Sequence, residues 1–267
     1  MSVKDINAQH KKERMGLVGC NTFGTQMKII DYKTSKDIVV EFQDEHKYVT
    51  KSYYKCFVSG NIKNLYDKTL YGVGYIGEGQ KLKYNNKFTK EAMTWHSMLE
   101  RCYSDKYSDC KHTYKEASCC DEWLCYQNFY NWLHSQENFD KWVNLPKSAI
   151  DKDIILKGNK TYSPKTCCLV SQRINSLFTK ADSMRGHYPI GVIFNKNHNC
   201  FEVQIQNQIT GKRDYYTKFE SPNEAFNVYK IEKEKIIKQV AQEEFDAGNI
   251  TKKCYDAMMN YEVEITD

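Results

Sequence analysis

The chain lacks any apolar run near the roughly 18 residues that a membrane-spanning helix requires. Its mean hydropathy of −0.73 also argues against a membrane protein. The opening stretch, MSVKDINAQHKKERMG, has no apolar h-region and does not read as a signal peptide. There is no HExxH pair, so the seven scattered histidines carry no metalloprotease signature. There is no CxxC pair either, the spacing that structural zinc sites usually use. No internal repeat or low-complexity segment stands out.

What is present is an odd number of cysteines, eleven, without a secretion signal. They read as reduced thiols, mostly buried as small hydrophobes, and zinc is not expected. Cys102, Cys110, His112, Cys119 and Cys120 would meet at a metal only by accident of fold. Apolar content of 40% supports real cores, and 267 residues allow one large domain or two to three small ones.

The net charge of +5 is unevenly spread. Residues 147–185 hold eight Lys or Arg against three Asp, a local +5, whereas residues 241–267 hold two Lys against seven acids, a local −5. A basic centre with an acidic tail suits a polyanion partner. The alternative is an ordinary solvated face, and charge alone does not decide between them.

Residues 15–66 read as β, with QMKIIDY, DIVVEF and KYVTKSYYKCFVSG forming a small barrel or meander. Four glycines (72, 74, 77 and 79) give residues 67–87 a loop or linker composition. GVGYIG within it has the wrong spacing for a dinucleotide fingerprint. Residues 88–135 read as helix, loop, helix. Ala92, Trp95, Met98, Leu99 and Cys102 make one stripe, and Trp123, Tyr126, Tyr130 and Leu133 the other, with Asp121 and Glu122 at the second start. Three strands, GVIFNK, CFEVQIQ and RDYYTKF, are expected over 190–219. A helix follows from Ser221 as N-cap, with Pro222 at N1 and Glu224 completing a capping box. A last helix is expected over about Thr251 to Tyr261.

Alternation gives the three-stranded unit two different faces. Phe201, Val203 and Ile205 point toward the helix residues Ala225, Phe226 and Tyr229, while Glu202, Gln204 and Gln206 point outward. An uncovered, amide-rich face suits a groove reader, because Gln pairs bidentately with adenine and Arg with guanine. An ordinary solvated antiparallel face is the competing reading.

Residues 190–233 resemble the apetala/ethylene-response-factor DNA-binding domain, through Gly191-Val192, FEVQI (201–205), KRDYYTKF (212–219) and EAFNVY (224–229). The resemblance implies three antiparallel strands on one helix, with the sheet in the major groove. It places Asn195, Gln204, Gln206, Arg213 and Tyr215 at DNA-contacting positions, although several of the family's arginines are uncharged here. Residues 88–180 carry a second resemblance. TWHSMLERCY, CCDEWLCYQNFYNW and IDKDIILKGNKTYSPKTCCLVSQRIN resemble phage HNH homing-endonuclease-like proteins, which often join a ββα-metal nuclease to an apetala-type domain.

In such a site a divalent ion stabilises the leaving oxygen, a His activates water and an Asn orients that His. The resemblance puts Asp151 and Asn175 at the metal ligands, Lys152 at the general base and Thr166 at the orienting Asn. A lysine ammonium ordinarily titrates near pH 10.4, on the order of three units above neutrality, so it stays protonated and cannot accept a proton. Asp153 would substitute as base only if burial raised its pKa. The competing reading is that Asp151 and Asp153 flank a turn on a basic surface.

These readings give an α+β chain with no large central sheet. A small β module is expected over 1–80, an HNH-like ββα-metal module with preceding helices over 81–183, and an apetala-type domain over 184–245. An acidic helix and tail follow over 246–267. The expected function is binding of double-stranded DNA, with no membrane partner, in the cytoplasm of a bacterial host if the chain is phage-encoded. Lys157, Lys160, Arg173, Lys196 and Lys218 would join the sheet residues on DNA. The runner-up is an active Mg- or Mn-dependent endonuclease. A third reading is a protein-interaction or decoy role, in which the acidic tail mimics nucleic acid or docks on the chain's own basic surface.

Overall fold

The computed structural model describes residues 3–105, 116–179, 187–265 and 267. The chain is α+β and divides into two compact units, Met1–Lys115 with Asp121–Tyr130, and Glu116–Cys120 with Asn131–Asp267. The helix α4 (Tyr126–His134) contributes residues to both. Among the described residues no helix is long and apolar enough to cross a membrane.

The first unit is built on a four-stranded antiparallel meander: β1 (Val18–Cys20), β2 (Gln26–Thr34), β3 (Asp37–Phe42) and β4 (Val49–Ser52), in that order. Alternation in β3, and in β2 on either side of a register shift between Ile29 and Asp31, buries Met27, Ile29, Tyr32, Ile38, Val40 and Phe42. Two elements depart from expectation. A helix, α1 (Val3–Arg14), precedes the sheet, and its Arg14 guanidinium lies 4.0 Å from the Tyr54 ring centroid and donates to Tyr32 Oη at 2.8 Å. Tyr54–Val58, expected as strand, is the short helix α2, which sends Phe57 into the same core.

The glycine-rich segment is a packed structural element. The Gln127 side chain donates to the carbonyls of Ile76 and Gln80, at 3.2 and 2.9 Å, and accepts from the Gln80 amide at 2.7 Å. A side chain at Gly79 would collide with that same Gln127 amide, 2.4 Å away. The hairpin β5 (Lys83–Tyr84) and β6 (Lys87–Phe88) follows, then α3 (Lys90–Tyr103), which buries Ala92, Trp95, Met98 and Leu99 as the periodicity predicts. Asp121–Leu124 is a separate 3-10 turn, so the second aromatic helix begins at Tyr126.

The second unit carries β7 (Ser118–Cys119) parallel to β9 (Thr161–Tyr162), and the short helix α5 (Phe139–Asn144). Strand β8 (Ser148–Asp151) pairs antiparallel with β10 (Cys168–Ser171), which runs directly into α6 (Gln172–Leu177). A three-stranded antiparallel sheet comes next: β11 (Val192–Asn195), β12 (Cys200–Gln206) and β13 (Arg213–Phe219). The 25-residue helix α7 (Pro222–Asp246) and α8 (Lys252–Met259) complete it. One core joins Ile154, Val170 and Ile174 of the β8–α6 element to Val192, Val203 and Ile205 of the sheet and to Tyr229, Ile237, Val240 and Met258 of the last helices.

The start of α7 follows the sequence with one shift. Ser221 Oγ accepts from the Glu224 amide at 3.2 Å, but Glu224 reaches back to the amide of Glu220, at 3.3 Å, rather than that of Ser221. Gly191, at φ +73°, enters β11 against α7, and a Cβ there would lie 2.1 Å from the Tyr229 ring.

Candidate nucleic-acid interface

The strand register sorts the C-terminal sheet into two faces. Val192 faces Val203, which faces Tyr216, and these side chains pack toward α7. The next residues along face away: Ile193 opposite Glu202, Gln204 opposite Tyr215, and Gln206 opposite Arg213. Tyr215 is 58% exposed and Ile193 38%, so this outer face is open in the second unit. Arg213 and Gln204 are neighbours on it, 3.5 Å apart.

The predicted contact residues are not equivalent there. Tyr215 projects outward, and Arg213, also exposed, donates to Gln204 Oε1 at 3.5 Å. Gln206 turns its amide to the carbonyls of Gly211 and Lys212, at 3.2 and 3.3 Å. Asn195 is spent on the β11–β12 turn: its Oδ1 accepts from the Asn197 amide at 2.9 Å, and its Nδ2 donates to Glu202 at 2.7 Å. Lys196 is exposed in that turn. Lys218 is exposed at a bulge in β13, with φ +73°.

The β8–β10–α6 element brings Asp151, Lys152 and Asp153 onto one turn. Asp151 is buried, and its Oδ1 accepts from the amides of Asp153 and Ile154, both at 2.9 Å. Burial, and secondarily the Asp153 charge, raise its pKa to about 6. The Lys152 ammonium lies 3.2 Å from Asp153 and 5.9 Å from the Tyr162 ring centroid. Thr166 Oγ1 donates to the Thr161 carbonyl at 3.1 Å and sits 2.8 Å from Ser163 Oγ. Asn175 lies half-buried on α6, where its carbonyl accepts from Thr179 Oγ1 at 3.0 Å.

One residue that sequence reasoning missed ties this element together. Asn159 Nδ2 donates to both the Lys152 and the Thr161 carbonyls, each at 2.7 Å. Lys152, Asn159, Thr161 and Thr166 thus form one continuous hydrogen-bond chain across the loop between β8 and β10. The available signal was the Gly158-Asn159 pair, a turn dipeptide whose glycine adopts φ +78°.

As a divalent-cation site this donor set is poor. Asp151 aims an oxygen at its own turn, and Asp153 already has a lysine ammonium beside it. Among the described residues no three His, Cys, Asp or Glu side chains are grouped to hold a metal. Cys110 and His112 lie outside the described residues. Ten cysteines are described, all free thiols, and Cys119, Cys125, Cys167, Cys168 and Cys254 are buried. Burial raises Cys167 to about 12, so its thiol stays protonated at neutral pH and is a poor nucleophile.

The basic stretch is largely neutralised from within the second unit. Lys157 donates to the Glu262 carbonyl at 2.7 Å and to Asp267 at 2.8 Å, lies 3.3 Å from Glu264, and sits 4.7 Å from the Tyr261 ring centroid. Arg173 donates to the Gln208 carbonyl at 3.0 Å and pairs with Glu243 at 2.6 Å and Glu244 at 3.4 Å. Lys160 stands 4.0 Å from Glu116. Lys147 and Lys165 are exposed, and Lys180 and Arg185 lie outside the described residues. Comparison with protein-family models, with curated proteins and with solved structures found no match to this chain.

Proposed function

We propose that this chain is a double-stranded-DNA-binding protein of the HNH homing-endonuclease type, acting in a bacterial cytoplasm, with its nuclease centre inactive. The observation that carries the reading is the open outer face of the β11–β13 sheet. Arg213 and Gln204 stand side by side there, next to Tyr215, on an antiparallel ribbon backed by α7. A ribbon of this kind enters the major groove, where an arginine fork recognises guanine and a glutamine amide recognises adenine. Lys196, Lys212 and Lys218 are exposed around that face and supply phosphate contacts.

The order β8, β10, α6 supports the HNH-like part of the proposal: strand, loop, strand and helix follow one another, with Asp151 at the end of β8 and Asn175 on α6. Lys152, in place of a proton acceptor, favours binding over cleavage. The clasp of Glu262, Glu264 and Asp267 on Lys157 fits an acidic tail that competes with nucleic acid for the chain's own basic surface.

The test is a gel shift on duplex DNA over a salt series, paired with a plasmid-nicking assay in Mg or Mn. The expected outcome is a shift whose log–log salt slope is about −0.9 per phosphate contacted, without nicking. No shift at low salt would sink the reading. Robust nicking abolished by Asp151→Ala would replace it with the endonuclease.

A further inference from the structure

A cleft of about 680 Å³ in the second unit is lined by α6, β11, β12 and α7, by Arg213 of β13, and by Tyr261, Val263 and Asp267. Lys233 of α7 lines it and is only 8% exposed. It sits on the same helical stripe as the apolar Tyr229, Ile236, Ile237 and Val240, where a buried charge is out of place. Among the described residues its ammonium has no ion pair and no hydrogen bond.

The carboxylates around it are committed elsewhere. Glu232 pairs with Lys235 at 2.7 Å and Glu234 with Lys230 at 3.5 Å. Glu243 and Glu244 hold Arg173, and Asp267 holds Lys157. Two arginines share the cavity's lining, and both are engaged: Arg173 is held by Glu243 and Glu244, and Arg213 donates to Gln204 Oε1 at 3.5 Å. Among the described residues Lys233 is therefore the cation on this cavity that is left without a partner, beside apolar walls from Val192, Tyr229 and Ile237. Buried polar groups are retained when something satisfies them, and a buried ammonium is satisfied by an anion.

We propose that this cavity binds a small amphipathic organic anion. Its acidic group pairs with Lys233, and its apolar body lies against Tyr229 and Ile237. The volume is within the range of small-molecule sites, about 300–1,000 Å³. The proposal does not rest on the DNA-binding reading.

The test uses two dyes with the intact chain. 1-Anilinonaphthalene-8-sulfonate combines a sulfonate, an aromatic body and an N–H, whereas N-phenyl-1-naphthylamine lacks only the sulfonate. The native protein is expected to bind the sulfonate dye at one site and to prefer it to the neutral dye at pH 7. Lys233→Met should weaken the sulfonate dye about tenfold or more and leave the neutral dye unchanged or tighter. Burial lowers the Lys233 pKa to about 8. Sulfonate binding by the native chain should therefore fall as pH rises from 7 to 10, and the variant's profile should be flat.

The flat profile separates Lys233 from Tyr229, Tyr261, Asp267, Arg173 and Arg213, the other titratable or charged side chains on the cavity. Equal weakening of both dyes by Lys233→Met would overturn the proposal. If that variant does not fold, the native chain still decides: preference for the neutral dye at pH 7, or a pH-independent sulfonate affinity, overturns it.

Discussion

The outer face of the β11–β13 sheet and the basic element of residues 147–179 exchange roles between sequence and structure. By charge count the basic element is the stronger polyanion site. In the fold, four of its six described cations, Lys152, Lys157, Lys160 and Arg173, have a carboxylate within 4.0 Å. The sheet face carries little charge, with Arg213 facing outward on the same side as Glu202, yet it is the one left open. Local net charge thus overstates a surface whenever acids distant in sequence fold back onto it. What a partner meets is the charge left after internal pairing.

The largest expected effect comes from removing the sheet's support. Gly191→Ala forces a methyl into the Tyr229 ring at a left-handed backbone position, so it should cost about 2–4 kcal/mol of stability. Chemical denaturation of the second unit measures it. DNA binding should fall with the folded fraction, because the sheet and the basic element share one core.

Asp151→Asn probes the other side of the comparison. The folded pKa of Asp151, about 6, lies above its ordinary value of 3.8. The native state therefore holds this proton more tightly than the unfolded state, and stability falls as pH rises from about 4 to about 6. Above that window the ionised, buried carboxylate is a liability on the order of 1–3 kcal/mol. Asn keeps an oxygen for the two amides, so the variant should melt higher at pH 7 and lose the pH dependence between 4 and 6. A lower melting temperature at pH 7 would mean that an unrecognised cation stabilises the carboxylate.

Arg213→Ala should relax preference at one base position by about 1–3 kcal/mol, read by selection from randomised duplexes. An unchanged selected motif would take base reading away from this face. Lys157 gives the smallest effect and the sharpest contrast. Removing residues 262–267 frees its ammonium, so affinity for all duplexes should rise by about 1 kcal/mol or less, and more at low salt. Lys157→Ala in the truncated chain should cancel that gain. A gain confined to one sequence would place the tail against the reading face instead.

Much of the fold was legible because local periodicity and burial agree. Alternation in β2, β3 and β12, the α3 stripe and the Ser221 cap all appear where the sequence puts them. Helix α1 was missed because it has few apolar positions and meets the sheet through polar and ring contacts, Lys11 with Asp31, His10 with Tyr32, and Arg14 with Tyr32 and Tyr54. Tyr54–Val58 reads as strand because its aromatic and β-branched residues favour one, whereas in the fold a helical turn there places Phe57 in the core beside Ile62.

The two faces of the C-terminal sheet were set by the sequence alone, since side chains alternate strictly along a strand and apolar residues occupy every second position of CFEVQI. The buried Lys233, the Asn159 bridge and the clasp on Lys157 were decided only in three dimensions. Lys233 lines a cavity together with residues of α6 and β11, Asn159 binds carbonyls on both sides of a loop, and Lys157 meets Asp267 110 residues away. No local pattern encodes such pairings, because each depends on where separate elements of the chain come to rest against a common core.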